Sequence, residues 1–344
     1  MINKFNLLLI FLIIILLIFN KNNIEGFNSD NDELVPKVEF PFKNILDEHG
    51  KRLNIILISA PFREEKHEEA YIKYKEMGLY FCGISSYLDF PDKIINPFED
   101  RFHEKKNHDY LKMVNAWLYC FRNIPDDLKN SGLPLLFMSE ADLKNIDHYP
   151  YNETIQKEYD FIYICLDDNE KCDPGWQSYN RNWEFAKKCL EIMCGDYNLK
   201  GLIVGRTNCE IPEKCKDKIE TIKFLPFFEF QDKLRQSKFI FVPNISDASP
   251  RVITEGLCYN LPALVNYNII GGWHNIVSGE TGELFTNEQD LRVALDKILN
   301  TKYNPREWFV RNKGRENSGA IVASFLVKHF PNINNKNVRY VDIT

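Results

Sequence analysis

The chain has 344 residues, 44% of them hydrophobic and 27% charged, with a formal net charge of −6. That length accommodates two domains of ordinary size, and the composition is that of a globular rather than a disordered protein. The acidic balance, with no Lys/Arg block, argues against a nucleic-acid partner.

The first element is FNLLLIFLIIILLIF (5–19), 14 apolar residues of 15 between Lys4 and Lys21. It is shorter than the about 20 residues of a full membrane span. It is also long for a signal-peptide core, and no small-x-small cleavage site follows. The reading is a single-pass, uncleaved membrane anchor over 1–22 and a polar stem over 23–50, with a cleaved signal peptide as the alternative. Lysines on both sides leave the orientation open.

NIILISAP (54–61) then reads as a strand, REEKHEEAYIKYKEMG (63–78) as a helix stopped by glycine, and LYFCGISSYLDF (79–90) as a strand and loop. In NHDYLKMVNAWLYCFRNIP (107–125), Leu111, Val114, Trp117, Leu118 and Phe121 recur at helical spacing and predict an amphipathic helix. LPLLFMSEADL (133–143) predicts a strand and loop. This alternation over 51–150 gives a small parallel-sheet domain, and KNIDHYPYNETIQKEY (144–159) reads as a linker.

The second domain, 155–335, opens with the strand YDFIYICL (159–166), followed by a long loop and a helix from Glu184 to Met193. LKGLIVGR (199–206) is the next strand, and IKFLPFFEFQDKLRQSK (222–238) gives a strand, a loop and a helix. FIFVPN is then the fourth strand of a doubly wound sheet. A loop carrying Asp247, Ser249 and Pro250 follows, then a helix from about Arg251 through Glu255 to Cys258, ended by Asn260 and Pro262. ALVNY comes next, and GETGELF (279–285) leads into a last strand. NSGAIVASFLVKHF (317–330) is a C-terminal helix. In such βαβ units ligands lie at the carboxyl end of the strand, against the N-terminus of the next helix.

Strand, acid-bearing loop, helix, NLPALVN and GETGELF in this order resemble the donor-sugar site of GT-B glycosyltransferases of the large retaining group with a Glu-x7-Glu motif. The resemblance implies two Rossmann-like domains with parallel sheets, a nucleotide-sugar donor, and a glycan, protein or lipid acceptor. It places Asp247 at the first acid, toward the transferred sugar, and Glu255 at the second, toward the ribose. Here the motif is Asp-x7-Glu, one carbon shorter at its first position. The resemblance implies no cofactor and no metal: positive groups and the helix N-terminus take up the diphosphate charge. Candidate phosphate contacts are Arg181, Arg206 and Arg251, joined by Ser249 and by the backbone at Gly271 and Gly272. The implied setting is a membrane of the secretory pathway. A sugar-nucleotide binder with little or no catalysis is the alternative, motivated by Asp247 and the small first domain.

Other residues carry weaker signals. His274 has nothing near it in sequence to orient it, and His67, His103, His108 and His148 fall in or near the first domain. Trp117, Trp176 and Trp183 read as core before sugar platforms. Of nine cysteines, Cys172, Cys194, Cys209 and Cys215 sit in polar segments and pair if the domain faces an oxidising compartment. No Cys-x2-Cys pair suggests zinc. Sequons stand at Asn152 and Asn244, the latter inside the proposed site. Neither Gly-x-Gly-x-x-Gly nor a Walker loop is present where an oxidoreductase or a P-loop enzyme would need it.

Overall fold

The computed structural model describes residues 35–85, 90–91, 108–165, 175–207 and 209–344. The apolar run 5–19 and the stem as far as residue 34 lie outside them. Among the described residues no helix is long and apolar enough to cross a membrane.

From Val38 onward the chain is organised on two six-stranded sheets. The first contains β1 (Phe42–Asp47), β2 (Arg52–Ile58), β3 (Tyr80–Ile84), β4 (Ala116–Tyr119), β5 (Leu135–Phe137) and the C-terminal β12 (Val341–Ile343). Its order is β12-β1-β2-β3-β4-β5. β2 to β5 run parallel, while β1 is antiparallel to both its neighbours. The helix α1 (Glu65–Glu76) connects β2 to β3.

Two expectations fail in this half. The stem does not reach residue 50, because Phe42–Asp47 is a strand whose Ile45 is wholly buried. The helix expected over 107–125 is also absent beyond one turn: Tyr110–Met113 is helical and Val114 is already extended. Ala116–Tyr119 instead hydrogen-bonds between β3 and β5. Trp117 lies over Gly83, where a Cβ would stand 2.1 Å from the indole, and donates its Nε1–H to Ser85 Oγ at 2.9 Å. Short apolar runs fit both periods, and here the cross-strand fit of one large ring on one glycine decides between them.

The second sheet has the order β11-β10-β9-β6-β7-β8, all parallel. Its strands are β6 (Tyr159–Ile164), β7 (Gly201–Val204), β8 (Ile219–Ile222), β9 (Ser237–Val242), β10 (Ala263–Asn266) and β11 (Gly282–Phe285). The inner strands β6, β7, β9 and β10 read as largely apolar runs because both faces are covered, whereas the edge strand β8 leaves Glu220 exposed. On one face α2 (Trp183–Gly195) and α5 (Glu288–Asn300) bury Leu190, Met193, Leu291 and Leu295. On the other, α3 (Phe227–Arg235), α4 (Arg251–Cys258) and α6 (Pro305–Asn312) supply Leu234, Ile253, Leu257 and Phe309.

The last helix, α7 (Gly314–His329), returns to the first sheet. Its Val322, Ala323 and Leu326 share a core with Ile45, Leu53 and Leu57.

Cys194 and Cys215 form a disulfide with a Cα–Cα distance of 5.2 Å, tying the end of α2 to the segment before β8. It closes a loop of 21 residues. Constraining the unfolded chain over that length is worth about 3 kcal/mol. The double variant Cys194→Ser/Cys215→Ser is expected to melt roughly 5–10 °C lower. Calorimetry checks this, and an unchanged Tm would show that the bridge adds nothing.

Candidate functional site

The carboxyl end of β9 runs into Pro243 and the loop Asn244–Pro250, and α4 starts at Arg251 with no side-chain cap on its first turn. Gly256 lets this helix lie directly on β9: a Cβ there would stand 1.8 Å from Ile240 Cδ1. The helix N-terminus is thereby fixed against the strand end, with Pro250, Arg251 and Val252 lining the space between the two sheets and the positive end of the helix dipole at that wall. That space is a cavity of about 840 Å³, with Asp247, Ser249, Arg251 and Glu255 on its wall.

Each acid has a partner. Arg181 Nη1 pairs with Asp247 Oδ2, and Asn244 Nδ2 donates to the same oxygen at 3.1 Å. Arg181 comes from the short segment between the helix Trp176–Asn180 and α2. Its neighbour Asn180 ties that segment to the acid loop. Asn180 Oδ1 accepts from Arg181 at 2.9 Å, its amide donates to Ser246 O at 3.2 Å, and its carbonyl accepts from Ile245 N at 3.1 Å. The cation and the carboxylate are therefore held in place by one continuous hydrogen-bonded zipper.

Glu255 is buried and accepts from Lys144 Nζ at 2.9 Å. Lys144 follows a 3-10 turn, Glu140–Leu143, at the end of the first half of the chain. The sequence gives no signal for this pair, because the two residues are 111 positions apart and a lysine in a polar segment reads as solvated. Ser249 Oγ likewise meets Ser139 Oγ at 2.7 Å, joining the acid loop to the 3-10 turn. Over the whole cavity Lys43, Arg63, Lys144, Arg181 and Arg251 stand against three carboxylates. That surplus favours an anionic ligand.

The two glycines act from behind the loop rather than from the cavity wall. Gly271 N donates to Asp247 O at 3.1 Å, and a Cβ on it would lie 1.7 Å from Ala248 O. Gly272 has φ +75°, and its Cβ would meet Pro250 Cγ at 2.4 Å. Both positions need glycine so that the 247–250 backbone can pack closely. Arg206 is also displaced from the expected role. It is fully buried, lies 4.8 Å from the Trp183 ring centroid, donates to Ser178 Oγ at 3.1 Å, and does not line the cavity.

His274 is oriented after all. Its Nε2 lies 2.9 Å from Asp142 Oδ2, a wholly buried carboxylate that also receives Asn275 Nδ2 at 3.0 Å and Lys313 Nζ at 3.4 Å. The orienting acid belongs to the same 3-10 turn that precedes Lys144, so one turn of the first half supports both the His274 loop and Glu255. Burial opposes ionisation of Asp142, but the His274 and Lys313 charges and the Asn275 amide outweigh it and hold the carboxyl down at about 2.

His67, His108 and His148 do not line the cavity, and neither do Trp117 and Trp183, both of which are buried. His103 and the Trp176 side chain lie outside the described residues. Asn244 is buried against Asp247, so its sequon is closed to glycosylation in the folded protein. Among the described residues no cluster of three or more His, Cys, Asp or Glu is placed to hold a metal.

No family model matches the chain, and no curated protein does. Solved structures match it by shape. The crystal structure of TarM superposes with a TM-score of 0.50 at 14% identity, over 72% of this chain and 50% of TarM. Anabaena HepE in complex with UDP and glucose superposes with a TM-score of 0.52 at 10% identity, over 75% of this chain and 74% of HepE. Both are GT-B glycosyltransferases. The chain has the GT-B fold. It spans about half the length of TarM. Within a GT-B frame the cavity is the cleft between the two Rossmann-like units, and α4 and its acid loop belong to the C-terminal one.

Proposed function

We propose that the protein is a glycosyltransferase that binds a nucleotide-sugar in the cleft and passes the sugar to a glycan, protein or lipid acceptor. The observation that carries this is the convergence of Asp247, Glu255, Arg181 and the N-terminus of α4 on one wall of the cavity. HepE, with the same fold, was solved with UDP and glucose.

In this reading Glu255 accepts hydrogen bonds from the ribose hydroxyls, and Lys144 fixes the carboxylate that does so. Asp247 accepts from a hydroxyl of the transferred sugar. Breaking the bond between the anomeric carbon and the diphosphate leaves negative charge on the nucleotide. Arg181, Arg251 and the α4 N-terminus supply the opposing charge in a site closed by both halves. The reaction retains anomeric configuration and needs no metal. The apolar run 5–19 anchors the enzyme, and the Cys194–Cys215 disulfide supports placing it in an oxidising compartment of the secretory pathway.

A donor-binding protein with little turnover is the second reading. In its favour, Asp247 is already held by both Arg181 and Asn244. Nucleotide release over a panel of UDP-, GDP- and ADP-sugars separates the two, with glycan, lipid and peptide acceptors supplied. The enzyme releases nucleotide from one donor, and Glu255→Ala raises the donor KM about tenfold or more through lost charged hydrogen bonds. Donor binding without release supports the second reading. Neither binding nor release sinks both.

A further inference from the structure

A second cavity lies at the seam between the two halves and is not part of the cleft. It measures about 250 Å³ and is built by Phe121, Arg122 and Asn123, just past β4, and by Tyr267 to Ile270, just past β10. An apolar cluster of Cys120, Phe121, Ala248 and Ile270 joins its wall to the acid loop, to which Ala248 belongs. The seam is closed by Arg122 N donating to Ile270 O at 3.1 Å, and Cys120 Sγ lies 3.0 Å from Ala248 O.

Arg122 is the unusual member. Its guanidinium carbon lies 4.0 Å from the Tyr267 ring centroid and 4.4 Å from that of Trp273. One N–H is spent on Tyr267 O at 2.7 Å, and no carboxylate among the described residues pairs with it. A guanidinium covered by rings is held rigidly and is weakly hydrated, so its remaining N–H edge is a strong receptor for a carboxylate or a phosphate. Around it are two exposed amides, Asn123 and Asn268, and the Tyr267 ring, 46% exposed. A polar-edged aromatic ring and free amides suit a hydroxylated body with apolar C–H faces.

We propose that this seam cavity is a binding site for a single sugar unit bearing an anionic group, a sugar acid or a sugar phosphate. The anion sits on Arg122 and the ring is held by Tyr267, Asn123 and Asn268. The site does not depend on what the main cleft binds. Because its walls come from both halves, an occupant bridges them.

The test is titration calorimetry on the intact protein with glucuronate, glucose 6-phosphate, glucose and orthophosphate. One or both sugar anions should bind, and neutral glucose should bind at least about tenfold more weakly, the worth of one charge-assisted hydrogen bond. Arg122→Gln should lose that preference. Asn268→Asp, an exposed change that sets a negative charge beside the anion, should do the same without threatening the fold. An unchanged thermal unfolding midpoint is the control that both variants remain folded. Equal binding of glucose and the sugar anions, or undiminished binding in both variants, overturns the site. Orthophosphate binding as tightly as the sugar anions overturns its assignment to a sugar.

Discussion

Asp142→Ala is expected to destabilise the protein by about 3–5 kcal/mol, the range for removing one member of a buried charged network. The side chain is 1% exposed, and its partners His274 and Lys313 are themselves 8% and 18% exposed. Without the carboxylate they keep their burial and lose the group that compensates it. The same oxygen atoms close the 3-10 capping box with Ser139, so the turn that carries Lys144 should loosen as well. Urea unfolding at neutral pH checks this, and a loss below about 1 kcal/mol would remove Asp142 from the list of residues that hold the halves together.

The sign of the pH dependence follows. The folded carboxyl is held at about 2 against an ordinary 3.8. A carboxylate depressed in this way stabilises the fold at all pH above its unfolded value, and the contribution is lost as pH falls toward 2. Its size is about 2 kcal/mol. Asp142→Asn should therefore flatten the loss of stability between about pH 4 and pH 2. An acid limb as steep in the variant as in the wild type would assign that loss to other carboxylates.

What the sequence could show and what it could not divide along one physical line. β9, the acid loop, α4 and β10 were legible because each is written locally: an apolar run, a proline-bearing loop, an amphipathic helix stopped at Asn260, and a second apolar run. The same local reading failed at 116–119, where Trp117 and Leu118 fit a helical face as well as a strand and only the match with Gly83 chose. It failed at Phe42–Asp47, a strand between β2 and the C-terminal β12, because the short run FKNILD lies in a stretch whose polar composition reads as stem. The partners of the site were illegible for the same reason. Lys144, Ser139 and Asp142 reach Glu255, Ser249 and His274 across more than a hundred residues. Gly271 and Gly272 were legible as sites of close backbone approach, but what approaches is the 248–250 segment rather than a ligand. Arg206 looked available at the end of a strand and is instead buried beside Trp183.

On the proposed transferase reading, Arg181→Ala is expected to lower kcat/KM for the donor by roughly 10²–10³-fold, the usual effect of deleting one preorganised donor aimed at developing charge. Two causes would give such a loss. Arg181 could act on the leaving diphosphate, or it could act on Asp247 alone, whose carboxylate would otherwise stand in the cleft with only Asn244 against it. A double-mutant cycle with Asp247→Asn separates them. If Arg181 serves only to neutralise Asp247, the double variant should be no worse than Asp247→Asn alone. If Arg181 meets the diphosphate, the two losses should compound, and Arg181→Lys should recover part of the rate through its charge while forfeiting the fork geometry. The zipper through Asn180 favours the second outcome. It holds the guanidinium by Asn180 Oδ1 as well as by Asp247, so Arg181 keeps its place when a donor draws the carboxylate's hydrogen bonds toward a sugar hydroxyl. Wild-type kcat/KM in Arg181→Ala would move the phosphate contact to Arg251, the remaining arginine candidate on the cavity wall.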